Sequence, residues 1–232
     1  MAESGEPKEP TLEERWVDLK SPNQMLNFLQ NYGKIHNIRK LQLSSVGFLR
    51  SIWNIGPMKN IHNQKAVEMV ENFADGNIGI EELNNTIEDH KVTLSPIINA
   101  EYSDNPVSAY DFAMQSSTTS VAEAGLSVGE EEDAPRRNQE VIFQANLVRD
   151  IFGNPFETNP PVINPEWLAW DGGVVKNMAD RIYNERDFAA LPVLADALQD
   201  AGCDDERILS HLRGSGPHVR GCWCLDLILG KE

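Results

Sequence analysis

The amino-acid sequence predicts an all-α protein, built as a helical bundle or as stacked α-hairpins. Apolar residues recur at three- and four-residue steps along most of the chain, which is the spacing of one helix face. Gly-Pro, Asp-Gly and Pro-rich turns separate these periodic stretches and are typical helix stops. No sustained alternation of apolar and polar residues, the pattern of a half-buried strand, occurs in the 232 residues. The sequence therefore predicts helices joined by short turns.

The first half of the chain, residues 11–125, contains a series of predicted helices. Thr11 and Glu14 have the spacing of a capping box, and Ser21-Pro22 places an N-cap before a proline that suits the first helical position. The longest clean helical period runs from Lys34 to Ile55. Further helices are predicted over 63–74, 80–90 and 109–124, with a loop over 91–105. Residues 1–10, rich in Glu and Pro, predict a disordered acidic tail.

An acidic hinge is predicted over residues 126–135, because this segment is polar and contains Gly129, Pro135 and a run of carboxylates between them. It divides the first half from a C-terminal helical half over 136–232. In the second half, helices are predicted over 136–152, 173–184, 190–201 and 204–212, with a proline-rich extended connector over 154–166.

The last stretch of the chain, residues 214–232, is unusually apolar for a chain end. Val219, Cys222, Leu225 and Leu229 recur at helical spacing. Because a free end frays unless it docks, this pattern predicts a buried terminal helix.

The charge and cysteine content exclude several classes of protein. A net charge of −16 argues against nonspecific binding of nucleic acid, which needs a basic surface. No run of eighteen apolar residues is present, so no membrane span is predicted. Three cysteines fit a reducing compartment, and the first twenty residues lack the apolar core of a secretion signal. We therefore expect a cytoplasmic protein.

Several segments resemble one known family. They include Arg149-Asp-Ile-Phe-Gly-Asn-Pro-Phe156, Ala179–Cys203, Gly216-Pro-His-Val-Arg-Gly-Cys-Trp223 and Arg50-Ser-Ile-Trp53. These are similar to a large paralogous family of uncharacterised proteins encoded mainly in planctomycete bacteria. The resemblance covers most of the chain except about 91–135, and it implies this architecture and a bacterial cytosol, but no particular activity or cofactor. Members often carry a cysteine cluster where this chain has Val46-Gly-Phe-Leu49.

A group of cysteines and histidines near the C-terminus is the sharpest candidate for chemistry. Cys203, His211, His218 and Cys222 are the residue types that bind zinc. Their spacing is not that of a zinc finger, and Cys222 and Cys224 point to opposite sides of a continuous helix. Buried cysteines also serve as small apolar core residues, so the sequence predicts no cofactor.

Two other interpretations use the same segment. His218, Cys222 and Asp226, spaced by four residues, would place a thiol nucleophile between two partners on one helix face, although the same stripe also suits a packing edge. Arg213, Gly216, His218 and Arg220 would instead form an anion- or partner-binding helix start. The simpler alternative is a turn in which glycines adopt positive φ.

We expect a noncatalytic interaction or scaffold module whose partner is another protein. The alternative is a metal-binding protein or a thiol-dependent enzyme that uses the cysteines and histidines between residues 203 and 224. A weaker alternative is an acidic decoy or immunity-type partner of a basic protein.

Overall fold

The computed structural model describes residues 9–89, 91–99, 105–126 and 130–231, and within these ranges the regular structure is helical and no residue lies in a strand. The α-helices are α1 (Leu12–Asp18), α2 (Pro22–Asn31), α3 (Ile38–Ser51), α4 (Ile61–Ala74), α5 (Ile80–Asp89), α6 (Ser95–Asn99), α7 (Pro106–Leu126), α8 (Glu130–Phe152), α9 (Pro165–Ala169), α10 (Val174–Glu185), α11 (Leu191–Asp200), α12 (Glu206–Arg213) and α13 (Trp223–Leu229). The all-α prediction is confirmed. No helix in these ranges combines the length and the apolarity needed to cross a membrane.

Capping residues set the helix starts that the sequence predicts. Thr11 and Glu14 form the capping box, with the Thr11 N–H donating to Glu14 Oε2 at 2.8 Å and the Glu14 N–H donating to Thr11 Oγ1 at 3.2 Å. Ser21 caps α2, and Pro22 is its first residue. The α3 helix begins at Ile38 rather than Lys34, because the Asn37 side chain accepts from the Lys40 N–H at 3.0 Å.

Two short helices lie where irregular chain was predicted. The α6 helix lies within the segment 91–105, and α9 lies at the end of the proline-rich connector. Asn164 caps α9 by accepting from the Glu166 N–H at 2.9 Å, and Pro165 follows at the first helical position. The polar cap and the proline together start a helix too short to show an apolar period.

Residues 130–135 are helical where a hinge was predicted. They form the first turns of α8, and Asp133 pairs with Arg137 one turn later at 2.6 Å. Carboxylates are favourable in the first turn of a helix, so an acidic segment is compatible with a helix start. Residues 1–8 of the predicted tail and 127–129 of the hinge lie outside the described residues.

Two bodies make up the fold, and the boundary falls after α8 rather than before it. Helices α1 to α8 form the N-terminal body, whose two apolar clusters both use α3 and α7. The α8 helix contributes apolar residues to this body: Ala145, Leu147, Val148, Ile151 and Phe152. Helices α9 to α13 form the C-terminal body around a separate cluster. The α8 helix is therefore part of the first body, although the sequence grouped it with the second half.

The surface between the two bodies, which we call the seam, is rich in buried charge. Arg39 of α3 donates to Asp226 of α13 at 2.6 Å, to Tyr183 of α10 at 2.6 Å and to Asp75 at 3.0 Å. The side chains of Asp75 and Asp226 are almost fully buried. Arg186 and Arg220 of the C-terminal body also pair with Glu71 of α4. These ion pairs belong to the same contact surface. Buried ion pairs therefore contribute to the contact between the two bodies.

Candidate metal centre

Four side chains that can bind a metal converge at one end of the seam. They are Asp150 of α8, His211 of α12, His218 of the loop after α12, and Cys222 at the N-cap of α13. One donor atom from each residue lies within 4.8 Å of the donor atoms of the other three. The N-terminal body contributes one of these groups, and the C-terminal body contributes three.

The loop over residues 214–222 brings His218 and Cys222 to this point. Gly221 has a φ of +90°, a conformation that strongly favours glycine. A Cβ at this position would lie 2.8 Å from Leu43 Cδ1, so glycine also allows the loop to approach α3 closely. The loop thereby passes against the N-terminal body before α13 begins.

Asp150 is a buried carboxylate at the centre of the cluster, only 3% exposed. Its Oδ1 lies 2.7 Å from His218 Nδ1 and 3.2 Å from His211 Nε2, and its Oδ2 accepts from the Val219 N–H at 3.1 Å. Burial alone would raise the pKa of Asp150, but hydrogen bonds from the two histidines outweigh it and lower the pKa. Asp150 is therefore an anion in the folded protein.

His218 is held at both ring nitrogens. Its Nδ1 faces Asp150, and its Nε2 lies 3.2 Å from the carbonyl oxygen of Gly214. Burial lowers the pKa of His218, but the hydrogen bond and the negative charge of Asp150 outweigh burial, and the pKa is raised. Without a metal, the arrangement favours a charged imidazolium that donates in both directions.

His211 lies between Cys222 and Trp223. Its Nε2 is 3.1 Å from Cys222 Sγ, and its Nδ1 accepts a hydrogen bond from Trp223 Nε1 at 3.1 Å. The ring centroids of His211 and Trp223 are 4.8 Å apart. The indole therefore fixes both the position of this imidazole and the role of its Nδ1.

Cys222 is completely buried, and its thiol is not poised for nucleophilic attack. Burial raises the pKa of Cys222 well above its ordinary value, and the charge of Asp150 raises it further. A reactive cysteine needs exposure and thiolate character, and this one has neither in the absence of a cation. Burial and the raised pKa therefore describe a protonated thiol in the absence of a cation.

The predicted stripe of His218, Cys222 and Asp226 does not form. The α13 helix begins at Trp223, so His218 lies in the preceding loop and Cys222 only caps the helix. Asp226 contacts Arg39 at the seam and points to a different set of partners. The stripe fails because Gly216 and Gly221 adopt positive φ, which interrupts helical geometry before residue 223.

The four residues proposed for anion binding also point apart. Arg213 pairs with Asp196 at 2.7 Å, whereas Arg220 donates to the carbonyl oxygens of Tyr183 and Asn184. Gly216 adopts a φ of +81° in the loop, and no helix starts beside it. The alternative of a glycine turn describes this segment.

Sequence reasoning found three of the four clustered residues, but it also included Cys203 and missed Asp150. Cys203 is buried in the C-terminal body and does not join the cluster. Asp150 lies 68 positions before His218, so no spacing rule relates them. The sequence feature that could have indicated Asp150 is its position as a carboxylate between the apolar residues Val148 and Ile151 in a predicted core helix.

Two cavities reach the cluster from different sides. One of about 300 Å³ is bordered by Asp150, His211, His218 and the 214–217 turn. The other, of about 550 Å³, is a cleft between the bodies that is bordered by His211 and Trp223. Cys222 lines neither cavity, so solvent approaches the cluster from the side of its carboxylate and imidazoles.

Comparison of the chain with protein-family models, with curated proteins and with solved structures gives no match. The resemblance to the planctomycete-type family therefore stays a prediction.

Proposed function

We propose that the protein binds a divalent transition metal of the zinc class within the cluster of Asp150, His211, His218 and Cys222, and that the metal joins the two bodies. The observation that carries this proposal is the convergence of four donor atoms within 4.8 Å of one another. Carboxylate oxygen, imidazole nitrogen and thiolate sulfur are together the donor set of zinc sites.

Charge balance supports the same assignment. Asp150 and a deprotonated Cys222 supply two negative charges, which would neutralise a divalent cation in a buried site. A bound metal also deprotonates a coordinating thiol, so the high pKa of Cys222 is not an obstacle to binding. Metal binding should release protons, and the affinity should rise with pH.

The position of the cluster suggests what the metal does. Asp150 belongs to α8 of the N-terminal body, and the other three groups belong to the C-terminal body. A metal held by both bodies would couple them, because its binding free energy is gained only when they are docked. The proposal is thus a metal-dependent link across the seam.

Zinc binding to the purified protein tests the proposal. Chelator-treated protein should take up one zinc per chain in equilibrium dialysis followed by elemental analysis. A zinc concentration of 100 times Kd should stabilise the fold by roughly 2.7 kcal/mol, read as a rise in the thermal midpoint.

Matched variants locate the site. Cys222→Ser and His218→Ala should each weaken zinc binding by more than the roughly 10- to 100-fold that loss of an outer-shell partner costs. Cys203→Ser and His36→Ala, which alter a buried thiol and an exposed imidazole outside the cluster, should bind zinc as the parent does. Absence of zinc uptake, or equal loss in the control variants, would contradict the proposal.

A second candidate function is the interaction module that the sequence favours, acting in the cytoplasm of a bacterium. The cleft of about 550 Å³ supports it, because apolar side chains form much of its lining. Four cationic residues line it against two carboxylates, in a protein with a net charge of −16: Lys40, Arg149, Arg207 and Lys231 against Glu157 and Asp226. This combination suits an acidic segment of another protein with apolar anchors.

Charge reversal tests the second candidate. A partner held in the cleft should bind less tightly as salt is added, and Lys231→Glu should weaken it further. Lys65→Glu, an exposed change on α4, is the matched control and should leave binding unchanged. Equal effects of the two substitutions would place the partner elsewhere.

A further inference from the structure

One hydrogen bond gives His211 a different role from the other three members of the cluster. The Trp223 indole N–H can only donate, and it points at His211 Nδ1 from 3.1 Å. In a neutral imidazole, Nδ1 must then carry the lone pair and Nε2 must carry the hydrogen. It is Nε2 that faces Asp150 and Cys222.

A histidine that binds a metal has the opposite arrangement. Its coordinating nitrogen presents a lone pair, and its other nitrogen donates to a carboxylate, a carbonyl or water. His218 fits this rule, since its Nε2 faces the Gly214 carbonyl and its Nδ1 is left for a metal. His211 does not fit it while the Trp223 hydrogen bond is present.

Packing around the Trp223 indole keeps it in position to donate this hydrogen bond to His211. The indole is only partly exposed and packs on Gly153, whose φ of +62° favours glycine. A Cβ on Gly153 would lie 3.2 Å from Trp223 Cγ, so the backbone lies directly against the ring. The α8–α13 contact thus fixes the donor that restrains His211.

We infer that the metal site has three protein ligands and an open position: Asp150 Oδ1, His218 Nδ1 and Cys222 Sγ bind the ion, and His211 stays uncoordinated, with its Nε2–H beside two of these ligands. The inference rests on the proposed function and assigns roles within the same site. Cys222 closes the buried side, whereas Asp150, His211 and His218 border the cavity of about 300 Å³. The open position therefore faces this cavity and takes water or a small anion, to which His211 donates.

Three protein ligands and an exchangeable position are the arrangement of catalytic rather than structural zinc sites. An ion at such a position binds anions and lowers the pKa of a bound water molecule. His211 would then be a positioning residue for the fourth ligand, and Trp223 would fix its tautomer.

Cobalt substitution with azide as the probe tests the inference. Co²⁺ bound to the chelator-treated protein should give a thiolate-to-metal charge-transfer band and visible bands of a four-coordinate ion. Azide should shift the visible bands by replacing the fourth ligand. His211→Ala should retain one cobalt per chain and should still respond to azide.

Trp223→Phe provides the complementary variant, since it removes the indole N–H and keeps an aromatic ring. His211 is then free to present Nε2 as a ligand, so we expect cobalt to bind but the azide response to fall at least tenfold. Trp167→Phe, on α9 and outside the cluster, is the matched control and should behave as the parent.

The outcomes separate the two proposals. If cobalt binds without an azide response and His211→Ala loses the metal, His211 is a fourth ligand and the inference is wrong, although the protein still binds metal. If the parent binds no cobalt, both the inference and the proposed function are wrong.

Discussion

At the scale of single residues, Asp150 determines what the centre can do. It accepts from two imidazoles and one backbone N–H while being almost fully buried. A buried carboxylate without such partners would be neutral, and a neutral group would neither hold His218 in its charged form nor attract a cation. The chemistry of the cluster therefore depends on this one side chain of α8.

Asp150→Asn should be strongly destabilising in the absence of metal. The amide keeps the size but removes the charge that His218 and His211 face, and breaking a buried ion pair typically costs about 3–5 kcal/mol. Urea unfolding monitored by circular dichroism measures the loss. Asp196→Asn, which breaks an exposed pair with Arg213, is the control and should change stability by no more than about 0.5 kcal/mol. Similar losses in the two variants would show that Asp150 has no special role.

The pH dependence of the metal-free protein follows from the same contacts. The pKa of His218 is raised, so its ionisation contributes to the free energy of unfolding. This contribution is fully present below about pH 6.5 and is lost as the pH rises through the pKa of the folded state. The pKa of Asp150 is lowered, so its ionisation also contributes to the free energy of unfolding. This contribution is present above about pH 3.9 and is lost as the pH falls through the pKa of the folded state. Asp150 from α8 and His211 from α12 are the titratable groups that face His218.

Chelator-treated protein should therefore unfold at lower urea concentration at pH 8.5 than at pH 6. His218→Gln should reduce this difference, because it removes the group whose pKa changes on folding. An unchanged difference in that variant would assign the pH dependence to other groups.

At the scale of elements, α13 anchors the C-terminal body despite having only seven residues. Leu225 and Ile228 are at most 1% exposed, and Cys224 is fully buried beside them. Burial of each large apolar side chain contributes roughly 1.5–3 kcal/mol. The same helix presents Trp223 to His211 and Asp226 to Arg39, so its docking also positions both polar networks.

Leu225→Ala should destabilise the protein by about 2–5 kcal/mol, since it removes a fully buried side chain and leaves a cavity. Val193→Ala on α11 is the control, because Val193 is 55% exposed and its truncation should cost no more than about 0.5 kcal/mol. Chemical denaturation of both variants checks the difference. A loss below 1 kcal/mol for Leu225→Ala would mean that α13 is peripheral to the C-terminal body.

At the scale of the whole molecule, the seam decides whether the two bodies behave as one unit. Arg39 donates to Asp75 and Asp226, whose side chains are at most 2% exposed. Burial opposes the charge of Arg39, but the hydrogen bond and charge of Asp226 outweigh it and raise the pKa. A cationic Arg39 is what allows the two carboxylates to be buried at the contact.

Arg39→Met should cost about 3–5 kcal/mol and should separate the unfolding of the two bodies into two transitions, because it leaves buried carboxylates without their cation. Adding Asp226→Asn should recover part of the loss, as expected for directly coupled residues. Arg181→Met, which breaks an exposed pair with Glu185, is the control. A single transition at unchanged midpoint in Arg39→Met would show that apolar packing alone joins the bodies.

The helical class and most helix positions follow from local sequence, because capping residues and apolar spacing act over three or four residues. Thr11 and Ser21 show this directly, since each caps a helix that begins at the next residue. The sequence also identified His211, His218 and Cys222 as candidate ligands by residue type. Packing of the helices brings Asp150 into the cluster, leaves Cys203 outside it and places Trp223 against His211. The contact between Asp150 and His218 joins residues 68 positions apart, and it depends on how α8 docks against the C-terminal body. No local periodicity encodes that docking, because it results from the packing of both bodies and from the backbone path that Gly221 permits.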